Sequence, residues 1–120
     1  MDVVVEVGGW EHECCGDAIE QDQLVDFQCI RYTGPGGRLG VVESHHGGLS
    51  VAADERVHGR VIEIQVVQED GTAQSIHRVP RGRALRGYDD GDDGHLEAPW
   101  TGEVIPSSSV EFLVTVRTAR

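Results

Sequence analysis

Lysine and asparagine are absent from this 120-residue chain, and aromatic residues make up only 5% of it. Ten arginines are opposed by 21 acidic residues, which gives a formal net charge of −11. A surface of this charge repels phosphate groups, so we expect no binding to nucleic acids or to membranes. The few aromatic residues also make a stacking platform for single strands improbable. The expected partner is therefore a protein or a small molecule of unknown identity.

The chain has no long hydrophobic run. The longest apolar stretches, at Val3 to Val5 and at Phe112 to Val114, fall far short of the roughly 20 residues that a membrane-spanning helix needs. The first residues also lack the basic and apolar regions of a secretory signal, which predicts a cytoplasmic protein. Three cysteines, an odd number, favour reduced thiols over a disulfide framework.

Alternation of apolar and polar residues is the main pattern that the chain does show. No segment has a convincing apolar stripe of helical period, so the pattern is typical of β-strands with one buried face. Its length suits a single domain, residues 1–120. The residues that the alternation turns toward a core are Val3, Val5, Val7, Val25, Phe27, Cys29, Val110, Phe112, Val114 and Val116.

Two further features predict how the strands connect. The strand from Val57 to Val67 changes the parity of its apolar residues, which indicates a bulge or sharp bend near Arg60 to Ile62. The Asp-Gly pair in Glu69 to Thr72 signals a hairpin that returns the chain through Gln74 to Val79. We therefore predict an all-β fold without helices: a small, partly open β-barrel of five to seven strands, SH3-like or OB-like.

The composition changes between Pro80 and Pro99, where apolar residues become rare and two charge clusters follow each other. This composition predicts a long, mobile, charged loop at about residues 80–99, outside the barrel. Its aspartate run does not form an EF-hand, because the required glutamate position holds Trp100. We expect the aspartates to pair with the neighbouring arginines, which are Arg78, Arg81, Arg83 and Arg86.

Residues 10–17 read WEHECCGD, and residues 43–49 read ESHHGGL. His12, Cys14, Cys15, His45 and His46 offer the thiolate and imidazole ligands of tetrahedral zinc. The spacing is not standard, because adjacent residues of a strand point to opposite faces and both thiols could reach one ion only from a turn. The alternative is a turn with one buried thiol, one exposed thiol and solvated histidines.

The same cysteines allow two other interpretations. A disulfide between Cys14 and Cys15 would close a strained ring and would be opposed by a reducing cytosol. A catalytic cysteine is also conceivable, because His12 or His45 could lower the pKa of a neighbouring thiol. Cys29, which lies in a strand with Val25 and Phe27, is best explained as a small core residue.

The order of the motifs resembles that of a known family. Trp10, the Cys14-Cys15-Gly16 turn, the HHGG segment and a Gly59-x-Val61-x-x-Ile64 stretch are similar to those of small actinobacterial proteins classed as a domain of unknown function. The likeness covers about the first 70 residues. It implies a bacterial source and supplies no activity, cofactor or partner.

The sequence contains a scaffold and turns but no complete catalytic constellation, so we predict a non-enzymatic binding or interaction module. Its predicted binding surface consists of Trp10, Cys14, Cys15, His45 and His46. The competing prediction is a small thiol-dependent or metal-dependent enzyme that uses the region of Cys14, Cys15, His45 and His46. The cofactor is unknown, and zinc is the candidate for a metal site in this region.

Overall fold

The computed structural model describes residues 1–8, 12, 16–33, 39–43, 54–106 and 111–119. Within these residues the chain forms ten strands and one short helix. In chain order they are β1 (Asp2–Gly8), β2 (Ile19–Glu20), β3 (Leu24–Thr33), β4 (Leu39–Glu43), β5 (Asp54–Val67), β6 (Ala73–Ser75), β7 (Arg78–Val79), α1 (Gly82–Leu85), β8 (Leu96–Glu97), β9 (Val104–Ile105) and β10 (Glu111–Thr118). The predicted all-β class is confirmed.

The longest strands pair in a ring. β10 pairs antiparallel with both β1 and β5, β5 pairs with β3, and β3 pairs with β4. A single parallel pair, Glu6 with Val42, joins β4 to β1 and completes the circuit. β6 extends the sheet beyond β5. β2 with β7 and β8 with β9 form two further small sheets. Their buried residues belong to the same core cluster as those of the ring.

The inner face of the ring carries the core that the alternation predicts. Val5 and Val7 of β1 are buried, and their neighbours along β1 are less covered. The buried residues of β3 and β10 likewise sit at every second position, so the predicted strand faces are confirmed. They are Val25, Phe27, Cys29, Phe112, Val114 and Val116. Val110 lies outside the described residues.

The predicted irregularity in the longest strand is also confirmed. Thr115 of β10 faces Glu63, whereas the next residue, Val116, faces Val61, so Ile62 is the extra residue of a β-bulge. Val61 and Ile64 are both buried, three positions apart. The bulge therefore keeps the apolar residues on both sides of it in the core, where strict alternation would have turned one set outward.

The hairpin after β5 forms as predicted, but the returning strand is shorter than expected. The Gln68 N–H donates to the Thr72 carbonyl, and Gly71 adopts a φ of 88°, as an Asp-Gly turn requires. The Ile76 N–H still donates to the carbonyl oxygen of Ile64 in β5. At the next residue the chain leaves β5, because the His77 N–H donates to the carbonyl oxygen of Glu97 in β8. The predicted single strand is thus divided into β6 and β7, which belong to different sheets.

The segment at 80–99 contains regular structure that the sequence did not predict. Helix α1 makes one turn after Pro80 and buries Gly82 and Ala84, and Leu96 of β8 is part of the core cluster. Elements of two to four residues are too short to show a period of 2 or 3.6, which explains why the pattern missed them. The predicted mobility of this loop stays a prediction. Among the described residues no helix is long and apolar enough to cross a membrane.

Candidate functional site

The predicted N-terminal site is described at one of its residues only. Trp10, Cys14, Cys15, His45 and His46 lie outside the described residues, so the binding surface and the zinc site that they would form stay predictions. In the described part of the chain, no group of three or more histidine, cysteine, aspartate or glutamate side chains is placed to hold a metal ion.

His12 is the described member of that set, and it is a packed core residue. Its ring is 1% exposed and stands edge-to-face against Phe112, with the ring centroids 6.2 Å apart. Nε2 lies 2.8 Å from the carbonyl oxygen of Pro80, and because a carbonyl only accepts, Nε2 carries the proton. While this bond exists, His12 could bind a metal through Nδ1 alone.

A second set of charged residues anchors the acidic segment to β7. The Arg78 guanidinium donates twice to the Asp92 carboxylate, from Nη1 to Oδ2 at 2.5 Å and from Nη2 to Oδ1 at 2.7 Å. Nη1 of Arg81 lies 3.7 Å from Oδ2 of Asp89 in the same segment. Both pairs confirm the expected neutralisation of the aspartates by nearby arginines. The segment is also closely packed at Gly94, whose φ is +74° and where a Cβ would lie 2.6 Å from the Ala84 carbonyl oxygen.

His95 lies between two carboxylates. Its Nδ1 contacts Oδ1 of Asp93, and its Nε2 lies 2.6 Å from Oε2 of Glu97. A carboxylate only accepts, so this arrangement favours the imidazolium form, in which both ring nitrogens donate. The hydrogen bonds to Asp93 and then to Glu97 raise the pKa of His95 above its usual 6.5. His95 therefore links Asp93, which precedes β8, to Glu97 on the outward face of β8.

The ion pair between Arg78 and Asp92 predicts a specific response to acid. The hydrogen bonds from Arg78 lower the pKa of Asp92 from 3.8 to about 2. The unfolded chain therefore takes up this proton at a higher pH than the folded chain, and the contribution of the pair to stability is lost as the pH falls from about 4 toward 2. We expect Asp92→Asn to reduce the free energy of unfolding by up to about 1 kcal/mol at neutral pH.

Urea unfolding of the wild type and of Asp92→Asn, repeated from about pH 7 to pH 2.5, measures this response. The difference between the free energies of unfolding of the two proteins should become smaller over the acid part of that range. Asp90→Asn is the matched control, because Asp90 is exposed in the same segment. A difference between wild type and Asp92→Asn that stays constant over the whole range would contradict the assignment.

The hairpin of β8 and β9 presents a tryptophan to solvent. Its turn is closed by two backbone hydrogen bonds, from the Ala98 N–H to the Glu103 carbonyl at 2.8 Å and from the Gly102 N–H to the Ala98 carbonyl at 3.1 Å. Trp100 lies inside this turn and is 91% exposed, more than any other large hydrophobic residue of the described chain. The hydrogen bonds of the turn fix the backbone at Trp100, and the side chain lies outside the core.

The outward face of the same hairpin carries a second exposed apolar side chain. Leu96 and Ile105 pair across the two strands and are buried, which places the next pair, Glu97 and Val104, on the opposite face. Val104 is 60% exposed. We name Trp100, Val104 and Glu97 together the hairpin surface. It combines an aromatic side chain, an aliphatic side chain and a carboxylate on one short, well-defined element.

The sequence contains a local signal for this hairpin. The residues Pro-Trp-Thr-Gly, which are typical of a turn, stand between the apolar residues Leu96 and Ile105. Gly102 adopts a φ of +71°. A tryptophan in the tip of a predicted turn has no core to enter, so it could have been predicted to be exposed.

Comparisons with protein-family models, with curated proteins and with solved structures each found no match. The resemblance to an actinobacterial family of unknown function stays a prediction.

Proposed function

We propose that this protein is a non-enzymatic interaction module that binds a protein partner through the hairpin surface. The observation that carries the proposal is the exposure of Trp100, which lies in a hydrogen-bonded turn. Single exposed aliphatic residues are common in monomeric proteins, but tryptophan is enriched at the few interface positions that dominate binding energy. Val104 on the same hairpin enlarges the apolar area that a partner could cover.

Tyr88 is a useful comparison, because another side chain of this protein covers part of its ring. It is also exposed, but the Arg86 guanidinium lies 5.0 Å from its ring centroid and covers one face. Within the described residues, no comparable contact is recorded for Trp100. A partner is the simplest source of a group to cover it, because removing the apolar surface of an indole ring from water is favourable.

We further propose that the ring of strands is a small, partly open β-barrel of the SH3-like or OB-like kind. Two observations support this: five strands pair in a closed circuit, and alternate residues of that circuit are buried. The barrel would be partly open between β1 and β4, because a single residue pair joins these two strands. In this arrangement the hairpin surface lies on a connection outside the ring, where binding residues are common because a rigid scaffold positions them.

Photo-crosslinking tests the proposed function. A benzophenone amino acid is placed at position 100, and separately at position 24, where Leu24 is 62% exposed on β3 and serves as the control. In a lysate of the source cells, we expect a discrete crosslinked protein from position 100 and none from position 24. Excess wild-type protein should suppress that crosslink, and excess Trp100→Ala protein should not. The proposed function is wrong if position 100 yields no crosslink, or if both positions yield the same products.

A further inference from the structure

The cleft between β1 and β4 is a second candidate binding site, and it shares no residue with the hairpin surface. Among the described residues, these two strands pair only at Glu6 and Val42. A cleft of about 450 Å³ lies beside this pair, and its lining includes Asp2 and Val4 of β1 together with residues of β3, β4 and β10. This volume falls within the roughly 300–1,000 Å³ that is typical of ligand sites.

The backbone of β1 directs hydrogen-bonding groups toward this cleft. Thr118 of β10 donates its N–H to the carbonyl oxygen of Met1 at 2.9 Å, so the backbone groups of Met1 point toward β10. Along a strand these groups alternate between its two edges, residue by residue. The register between β1 and β10 is continuous, so Asp2, Val4 and Glu6 point their backbone groups toward β4. Of these three residues only Glu6 has a register partner in β4, and the edge at Asp2 and Val4 is open to a further strand.

We propose that an extended peptide segment binds in this cleft by adding a strand to the free edge of β1. Its backbone would exchange hydrogen bonds with Asp2 and Val4, because main-chain bonds supply the affinity in strand addition. Side chains of an added strand alternate between the two faces of the sheet. On one face they would lie beside Val4, which is 50% exposed, and on the other beside the apolar lining at Val3 and Val41. β-Branched side chains fit such a half-buried pleated surface, so they are the expected chemistry of the partner.

The charges around the cleft favour a neutral peptide over a second copy of this chain. Asp2 is paired with Arg117, whose Nε lies 3.0 Å from its Oδ1. Glu6 and Arg31, which also line the cleft, carry opposite charges. An uncharged segment therefore meets little electrostatic opposition at this edge. A second copy would bring another net charge of −11, so the pairing of two β1 edges is opposed by repulsion.

Hydrogen exchange of the free protein is the first test. The amides of Val3 and Val5 face β10 and should exchange slowly, whereas the amide of Val4 faces the cleft and should exchange quickly. Protection of the Val4 amide in a free monomer would show that the chain itself already covers this edge, and the inference would be wrong. Sedimentation gives the oligomeric state of the same sample. A dimer that dissociates in Val4→Pro would identify a second copy as the occupant and would also contradict the inference.

Fluorescence anisotropy with a defined probe is the second test. The probe is a short fluorescein-labelled peptide of alternating threonine and valine. Its matched control is the same peptide N-methylated at every residue, which keeps the side chains but cannot donate backbone hydrogen bonds. We expect the control to bind at least about tenfold more weakly, because several hydrogen bonds are lost. The unmethylated peptide should also slow the exchange of the Val4 amide. No binding of this peptide up to about 1 mM would overturn the inference.

Two variants at one position separate the backbone of β1 from its side chains. Val4→Pro removes an N–H that faces the cleft and takes no part in the pairing with β10, so the protein should fold and bind the peptide at least about fivefold more weakly. Val4→Thr keeps this N–H and the β-branched shape, and it should bind as the wild type does. Thermal melts check that both variants are folded. If Val4→Pro does not fold, the N-methylated peptide and the exchange of the Val4 amide decide the question. Equal binding of the two peptides, or of the two folded variants, would show that strand addition does not occur.

Discussion

Replacing Phe112 by alanine is expected to reduce the free energy of unfolding by about 3–5 kcal/mol, the range for removal of a buried phenylalanine. Phe112 is 1% exposed and lies at the point where β10 pairs with Val7 of β1 and with Val66 of β5. Its ring also supports His12. The substitution removes apolar contacts from three strands of the ring and leaves a cavity that a closed circuit of strands cannot easily collapse.

Urea unfolding followed by circular dichroism measures this loss, with an unchanged slope showing that the denatured state is not altered. Leu113→Ala is the control in the same strand, because Leu113 lies on the other face and is only partly buried. Its expected cost is about 1 kcal/mol. A Phe112→Ala protein within about 1 kcal/mol of the wild type would mean that this residue is not central to the core.

The second large effect is expected from Gly59→Ala. A Cβ at Gly59 would lie 2.1 Å from the carbonyl oxygen of Arg117 and 2.8 Å from its carbonyl carbon. Both atoms belong to the backbone of β10, so no side-chain rotation can relieve the clash and the two strands must move apart. We expect a loss of about 3 kcal/mol or more, the upper end of the cost of overpacking.

Hydrogen exchange checks the location of this effect. Amides of β10 near Arg117 and Thr118 should exchange faster in Gly59→Ala, because Gly59 is the register partner of Thr118. Gly91→Ala is the matched control: the nearest atom to its Cβ would be 3.6 Å away, which is an ordinary contact. Equal stability of the two glycine variants would show that β5 and β10 do not approach as closely at this point as the structure places them.

The long strands could be predicted from the sequence, and the candidate site largely could not. Alternation identified Val5, Phe27 and Phe112 as core residues, because a strand with one buried face repeats every two residues. The zinc hypothesis was based on residue types and spacing. It assigned His12 a ligand role, and the structure restricts that role to Nδ1, because Nε2 donates its hydrogen to the carbonyl oxygen of Pro80, a residue 68 positions away. Sequence spacing carries no information about such a distant partner.

The hairpin surface was missed for a related reason. In the sequence, Trp100 was interpreted only as the residue that occupies the glutamate position of an EF-hand and so excludes that motif. Its exposure depends on the turn between β8 and β9, and those strands have two residues each, too few to show alternation. Their position depends on the backbone hydrogen bond from His77 to Glu97, which joins the hairpin to the chain leaving β5.

The sequence by itself determined the class of fold, the faces of the long strands, the bulge near Ile62 and the pairing of Arg78 with the acidic segment. These features are local: they follow from residue periodicity, from turn chemistry and from opposite charges that are near each other in the chain. Only the tertiary structure determined which strands pair around the ring, that His12 is a core residue and where the hairpin that carries Trp100 lies. Each of these depends on contacts between residues far apart in the chain, and many different strand orders satisfy the same alternating pattern.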